Sequence, residues 1–106
     1  MDFVDAHLYH QTWTVPARIE WLRAESGKPL IVCEAGGPDI AVSPWSEAQQ
    51  AVDVAERWQL AMDAGAVEFA WLSLYELDAE YPRFRLMGLV TRDGRQKAAF
   101  DAYKAQ

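Results

Sequence analysis

Read from its N-terminus, the chain alternates short apolar runs with stretches whose apolar residues recur every three or four positions. In residues 2–9, DFVDAHLY, Val4, Ala6 and Leu8 fall on one side and Phe3, Asp5, His7 and Tyr9 on the other, the period of a strand. Thr14 followed by Pro16 predicts a helix start, Ile19 and Leu22 supply its apolar stripe, and Gly27 closes it as a left-handed cap. Pro29 to Glu34 reads as a second strand, apolar enough to be parallel and covered on both faces. Ser43 or Ser46 opens the next helix, Ser46 with Gln49 making a capping box. Ala51, Ala55, Trp58 and Met62 give that helix its stripe, and Gly65 ends it. Val67 to Leu74 is a third strand, followed by the polar loop YELDAEYPRF and a short extended piece, LMGLV. Asp93–Gly94 turns the chain into a last helix, Ala98 to Lys104, which packs Phe100 and Tyr103.

Strands alternating with helices imply parallel β/α units joined by right-handed crossovers, an α/β fold of three such units. No linker or low-complexity stretch interrupts them, so residues 1–106 form one domain, long enough to bury a core without disulfides or metals. A net charge of −6 with scattered acids and no basic stripe disfavours nucleic acid as a partner. The single cysteine, Cys33, excludes an internal disulfide, and its alternation with Glu34 predicts an inert small residue facing the helices. No apolar run approaches the roughly 18 to 20 residues that span a bilayer, and no signal peptide is visible. His7 and His10 fall on opposite faces of a continued strand, which argues against a metal site, and nothing calls for a cofactor.

In a parallel β/α array the ligand site lies at the C-terminal strand ends. Here those ends carry His7 and Tyr9, then Glu34, then Trp71. Strand parity places Leu30, Val32 and Glu34 on one side and Val67, Phe69 and Trp71 on one side. The other tryptophans, Trp13, Trp21, Trp45 and Trp58, read as packing or rim residues. Glu76, Asp78 and Glu80 read as a solvated charged loop, and Asp5 as a carboxylate needing a partner, one that a missing part of the protein could supply.

DFVDAHLYH, KPLIVCEAGGP, EFAWLSLYE and MGLVTRDGRQKAAFDAY, in this order and spacing, resemble the last three β/α units of a (β/α)8-barrel (TIM-barrel) glycoside hydrolase. The resemblance covers essentially the whole chain and is to the cellulase-like clan of retaining enzymes that cleave β-linked sugars. It implies Glu34 as catalytic nucleophile, His7 and Tyr9 lining the sugar subsite with Tyr9 hydrogen-bonding the nucleophile, and Trp71 as an apolar platform under the sugar ring. The chain departs from the family pattern at Ala35-Gly36-Gly37 after the glutamate and at Ala98 after Lys97. The small residues after Glu34 are expected to leave room for substrate. The chemistry needs an ionised nucleophile, a task for hydrogen-bond donors such as Tyr9 and His7, and a second carboxyl group about 5 to 5.5 Å away.

In that family the second carboxyl group is a glutamate ending the fourth strand, usually after asparagine, and this sequence contains no asparagine. A whole barrel takes about 250 residues. The resemblance therefore implies a C-terminal segment that is inactive without N-terminal units, with an oligosaccharide or glycoside as substrate. The alternatives are a non-catalytic partial barrel that self-associates or binds carbohydrate, and a truncated product without activity. A bare three-stranded sheet would expose a face bearing Phe3, Leu30, Val32, Val67 and Phe69 and two unpaired edges, so association is expected.

Overall fold

A computed structural model of the chain describes residues 2–38, 45–76 and 85–106. Strand β1 (Val4–Leu8) leads through a 3-10 turn (Thr12–Thr14) into helix α1 (Val15–Ser26). Strand β2 (Leu30–Ala35), helix α2 (Glu47–Asp63), strand β3 (Glu68–Phe69) and helix α3 (Ala98–Lys104) follow. The strands form one parallel sheet in the order β1-β2-β3. This is the α/β architecture of three parallel β/α units, a partial TIM barrel.

The local signals act where the pattern places them. Gly27 ends α1 at φ 64°, and its N–H bonds the Arg23 carbonyl, closing a turn that a Cβ would strain. Ser46 caps α2 by accepting the Gln49 N–H through its hydroxyl. The third strand is shorter than the sequence predicts. Its pairing stops at Phe69, although Ala70 and Leu72 still donate to Val32 and Ala35 of β2. The predicted LMGLV piece contributes isolated bridges from Val90 to Tyr75 and Gln96.

Register decides which side chains meet. Paired residues of parallel strands share a face, and Val4, Ala6 and Leu8 pair with Leu30, Val32 and Ala35. Ala6, Leu8, Leu30, Val32 and Ala35 are buried with Val15 and Ile19 of α1, Val54 and Ala61 of α2 and Ala99 of α3. Phe69, paired with Val32, packs against the same core. The opposite, open face carries Asp5, His7, Ile31, Cys33, Glu34 and Glu68. Simple alternation, which placed Leu30 and Val32 beside Glu34 and turned Cys33 to the helices, is therefore corrected. The register slips between Ala6 and His7: Ala6 pairs with Val32, but His7 pairs with Glu34. That bulge leaves Cys33 as the extra residue and brings Glu34 to the open face, while Leu30 and Val32 stay in the core. The open face is more polar than alternation suggested. Phe3 and Val67 remain exposed, at 50% and 56%.

Helix α2 departs from its pattern in a second way. The predicted stripe of Ala51, Ala55, Trp58 and Met62 is half-buried, and the buried stripe is Gln50, Asp53, Val54, Arg57 and Ala61. Arg57 has no solvent exposure. It grips Asp53 with two bonds, Nε to Oδ1 at 2.9 Å and Nη2 to Oδ2 at 2.8 Å. Its Nη1 donates to the carbonyls of Leu8 and His10, so the guanidinium ties α2 to the end of β1. Gly37 lies against this pair. A Cβ there would stand 2.5 Å from Arg57 Nη2 and from Asp53 Oδ1. Near the C-terminus, Lys97 is buried. Its Nζ bonds the Leu86 carbonyl at 3.1 Å, pairs with Glu76 at 2.5 Å and stands 5.3 Å from the centre of the Trp45 ring. Glu76 is thus an ion-pair partner rather than a solvated loop residue; Asp78 and Glu80 lie outside the described residues.

Two outcomes follow for the chain in solution. Edge strands β1 and β3, with exposed Phe3 and Val67, should drive association, seen by light scattering coupled to size exclusion; one sharp monomer peak with cooperative unfolding contradicts this. Arg57→Ala strands the Asp53 carboxylate in the interior and should cost about 3 to 5 kcal/mol in urea unfolding at fixed protein concentration. A loss below about 1 kcal/mol would mean that the pair holds little together.

Candidate active site

Strand β1, the residue after it and the C-terminal end of β2 bring four of the chain's polar side chains into one chain of contacts. Tyr9 Oη donates to Glu34 Oε1 at 2.5 Å. His7 Nδ1 lies 3.1 Å from Glu34 Oε2, and His7 Nε2 lies 2.9 Å from Asp5 Oδ2. The second Asp5 oxygen, Oδ1, accepts the backbone N–H of Cys33 at 3.0 Å. Both Glu34 oxygens are thus held, and Asp5 reaches the bulged residue itself. The strands make this possible: His7 and Glu34 are register partners, and Tyr9 follows β1 beyond Leu8. The partner that Asp5 required is supplied within the chain.

Each His7 nitrogen faces a carboxylate oxygen: Nε2 makes a hydrogen bond with Asp5, and Nδ1 stands within ion-pair distance of Glu34. The Tyr9 phenol is pushed well above its ordinary value, by burial first and then by its bond to Glu34 and the Glu34 charge. Burial works against the charge on Asp5. The hydrogen bonds from the Cys33 side chain and backbone and from His7, with the nearby His7 ring, outweigh it and hold the carboxyl below its ordinary value. The Cys33 thiol moves the other way, pushed up by its hydrogen bond to Asp5, then by burial and the surrounding carboxylates. Cys33 is exposed rather than turned to the helices, and this electrostatic setting keeps its thiol protonated.

The structure brings together Glu34, His7 and Tyr9 but places Trp71 elsewhere. Trp71 is 8% exposed, sits in the hydrophobic core and donates its indole N–H to the Met87 carbonyl at 2.7 Å. The glycines after Glu34 are buried rather than open. A Cβ on Gly36 would stand 2.5 Å from Met87 Sδ and 3.1 Å from Tyr9 Cε1, so its lack of a side chain lets the neighbours of Glu34 pack. Sequence reasoning missed the Asp5 bond to Cys33, which only the bulge creates. It also missed Arg57, whose i, i+4 spacing from Asp53 was the one available signal. Among the described residues, no group of three or more His, Cys, Asp or Glu is placed to hold a metal ion.

No protein-family model matches the chain, and no curated relative matches it. Solved structures do. A GH5_18 from Bifidobacterium longum subsp. infantis superposes with a TM-score of 0.74 at 19% identity, over 89% of this chain and 24% of that one. A β-glucuronidase from Ruminococcus gnavus gives 0.73 at 16% identity, over 98% and 22%. The xylanase Xyn10A from Cellvibrio japonicus, in a thermostable mutant, gives 0.71 at 13% identity, over 99% and 39%. The likeness establishes the fold: the chain shares its three β/α units with part of these glycosidases and spans between about a fifth and two fifths of their length.

A titration and an alkylation rate check the site. With Glu34 replaced by Gln, the Tyr9 phenol should ionise nearer the ordinary value of about 10, followed by ultraviolet absorbance; an unchanged midpoint separates the two residues. Because the folded value is raised, the stability tied to neutral Tyr9 is present below about pH 10 and lost as pH climbs above it. Asp5→Asn should speed alkylation of Cys33 by iodoacetamide at neutral pH severalfold; equal rates in the two proteins show that Asp5 does not restrain the thiol.

Proposed function

We propose that the chain is the nucleophile-bearing C-terminal segment of a retaining glycoside hydrolase acting on β-linked glycosides. The observation that carries this reading is Glu34 itself: a strand-end carboxylate on the open face of a partial TIM barrel, one oxygen held by Tyr9 and the other by His7. Tyr9 and His7 fix the aim of such a group, as attack on an anomeric carbon requires. A Glu34 oxygen forms a bond to that carbon while the glycosidic C–O bond breaks and its electron pair leaves with the aglycone oxygen. A general acid supplies the proton for that oxygen. Water then attacks the glycosyl-enzyme ester and regenerates Glu34. The general acid comes from the N-terminal units that complete the barrel, and without them the segment is inactive on glycosides whose leaving group needs a proton. Asp5, bonded to His7 and Cys33, belongs to the nucleophile's own support.

Within the segment, His7 and Tyr9 line the subsite of the scissile sugar. The rival reading, a non-catalytic partial barrel that self-associates or binds carbohydrate, draws on the unpaired β1 and β3 edges.

A leaving group that departs without protonation isolates the nucleophile from the absent acid. The chain, in whatever associated form it takes, is incubated with a dinitrophenyl fluoro-β-glycoside and digested for mass spectrometry. A glycosyl adduct on the peptide containing Glu34, abolished in Glu34→Gln, is the expected result. Labelling that is unchanged in the variant, or no labelling at all, favours the binding module.

A further inference from the structure

An open cleft of about 270 Å³ lies between the turn that follows β1 and the first half of α2. None of Glu34, His7 or Tyr9 lines it. Yet it opens on the same rim of the sheet, because Gln11 to Trp13 follow the C-terminal end of β1 and Pro38 follows that of β2. One wall is Trp13. Its side chain is 75% exposed, the most exposed large apolar residue among those described. The ring is nevertheless held, its Nε1 donating to Gln11 Oε1 at 2.9 Å. The opposite wall is Gln49, Val52 and Glu56 of α2, and Thr12 Oγ1 donates to Glu56 Oε1 at 3.1 Å, tying the walls together.

This combination defines a ligand class. An oriented, solvent-facing indole offers contact area at low entropic cost to an apolar ring face. The amide, hydroxyl and carboxylate groups around it serve a ligand with many hydroxyls. The fixed charge of the cleft is unfavourable to anions: Arg57 and Asp53 cancel each other as an ion pair, which leaves the Glu56 carboxylate as the surplus charge of the lining. The volume stands just below the usual small-ligand range of about 300 Å³ upward, which suits a single ring. We propose that this cleft is an accessory subsite for one uncharged pyranose unit of an oligosaccharide, with Trp13 as its platform. The inference rests on the glycosidase reading above and assigns it a preference for neutral over uronic-acid chains at this position.

The experiment uses the 106-residue chain labelled with fluorotryptophan and followed by fluorine NMR, the Trp13 resonance being assigned by its loss in Trp13→Phe. Neutral cello-, manno- and xylo-oligosaccharides are compared with oligogalacturonate. The Trp13 signal should move saturably with a neutral oligosaccharide, with Kd on the order of 1 mM, while that of Trp21, exposed on α1, stays in place. Followed on the sugar protons by saturation-transfer NMR, Trp13→Ala and Gln49→Ala should each weaken binding, the first by about tenfold or more, and neither exposed position threatens the fold. Glu34→Gln should bind as tightly as the parent. A Trp13 resonance unmoved by any neutral sugar, or one that moves equally with oligogalacturonate, overturns the subsite. The two readings fail separately: glycosyl labelling of Glu34 with a silent Trp13 leaves the nucleophile assignment and removes the cleft. Sugar binding at Trp13 without labelling of Glu34 does the reverse.

Discussion

The extra residue that β2 carries opposite Ala6 and His7 is the constraint on which the strand-end site depends. Up to Val32, β2 turns alternate residues toward the helices, and strict alternation would place Glu34 in the core with them. A carboxylate buried there without a partner costs several kcal/mol or gives up its charge. The bulge removes that conflict by one residue of slip, and Asp5 stabilises it by accepting the N–H of Cys33, the residue that the slip leaves outside the ladder. The same Asp5 holds His7, and His7 holds Glu34. One carboxylate therefore fixes both the backbone shape and the side chain that the shape presents.

Beneath the strand ends, a second polar group sets the position of the rim. Arg57 reaches from α2 to two carbonyls at the end of β1, and Gly37, just past β2, packs against the Arg57–Asp53 pair. Burial pushes the Asp53 carboxyl up, against the pull of the guanidinium beside it. A buried ion pair of this kind adds little net stability over an apolar pair, but breaking it is expensive. Its effect is geometric, since a guanidinium with fixed fork directions locates helix and strand relative to each other better than aliphatic packing does. Near the other end of the chain, the Lys97 ammonium gathers the Leu86 carbonyl, Glu76 and the Trp45 ring around one buried charge.

The open face and the free edges give this architecture its functional character. The helix-covered side of the sheet is a finished core, whereas the open side collects Asp5, His7, Cys33, Glu34 and Glu68. In a complete barrel that side is the interior, where strand-end groups from several units converge on one substrate. The three units of this chain carry a carboxylate held at the strand ends and an exposed indole on the rim.

Periodicity and capping chemistry alone determined the element order, the Gly27 boundary, the choice of Ser43 or Ser46 as the start of α2, the parallel class and the strand-end location of His7, Tyr9 and Glu34. These follow from local rules: side-chain alternation, φ preferences and hydroxyl caps act within a few residues. The tertiary structure decided the rest. Register slip between strands has no signature in one strand's own pattern, so Cys33, Leu30 and Val32 changed faces. The polar stripe of α2 could not be read as buried, because Gln50, Asp53 and Arg57 lie inside only by virtue of partners distant in the chain. Trp71 is enclosed in the core, where the Met87 carbonyl, sixteen residues on, takes its N–H. In each case the deciding interaction joins residues that no local pattern connects.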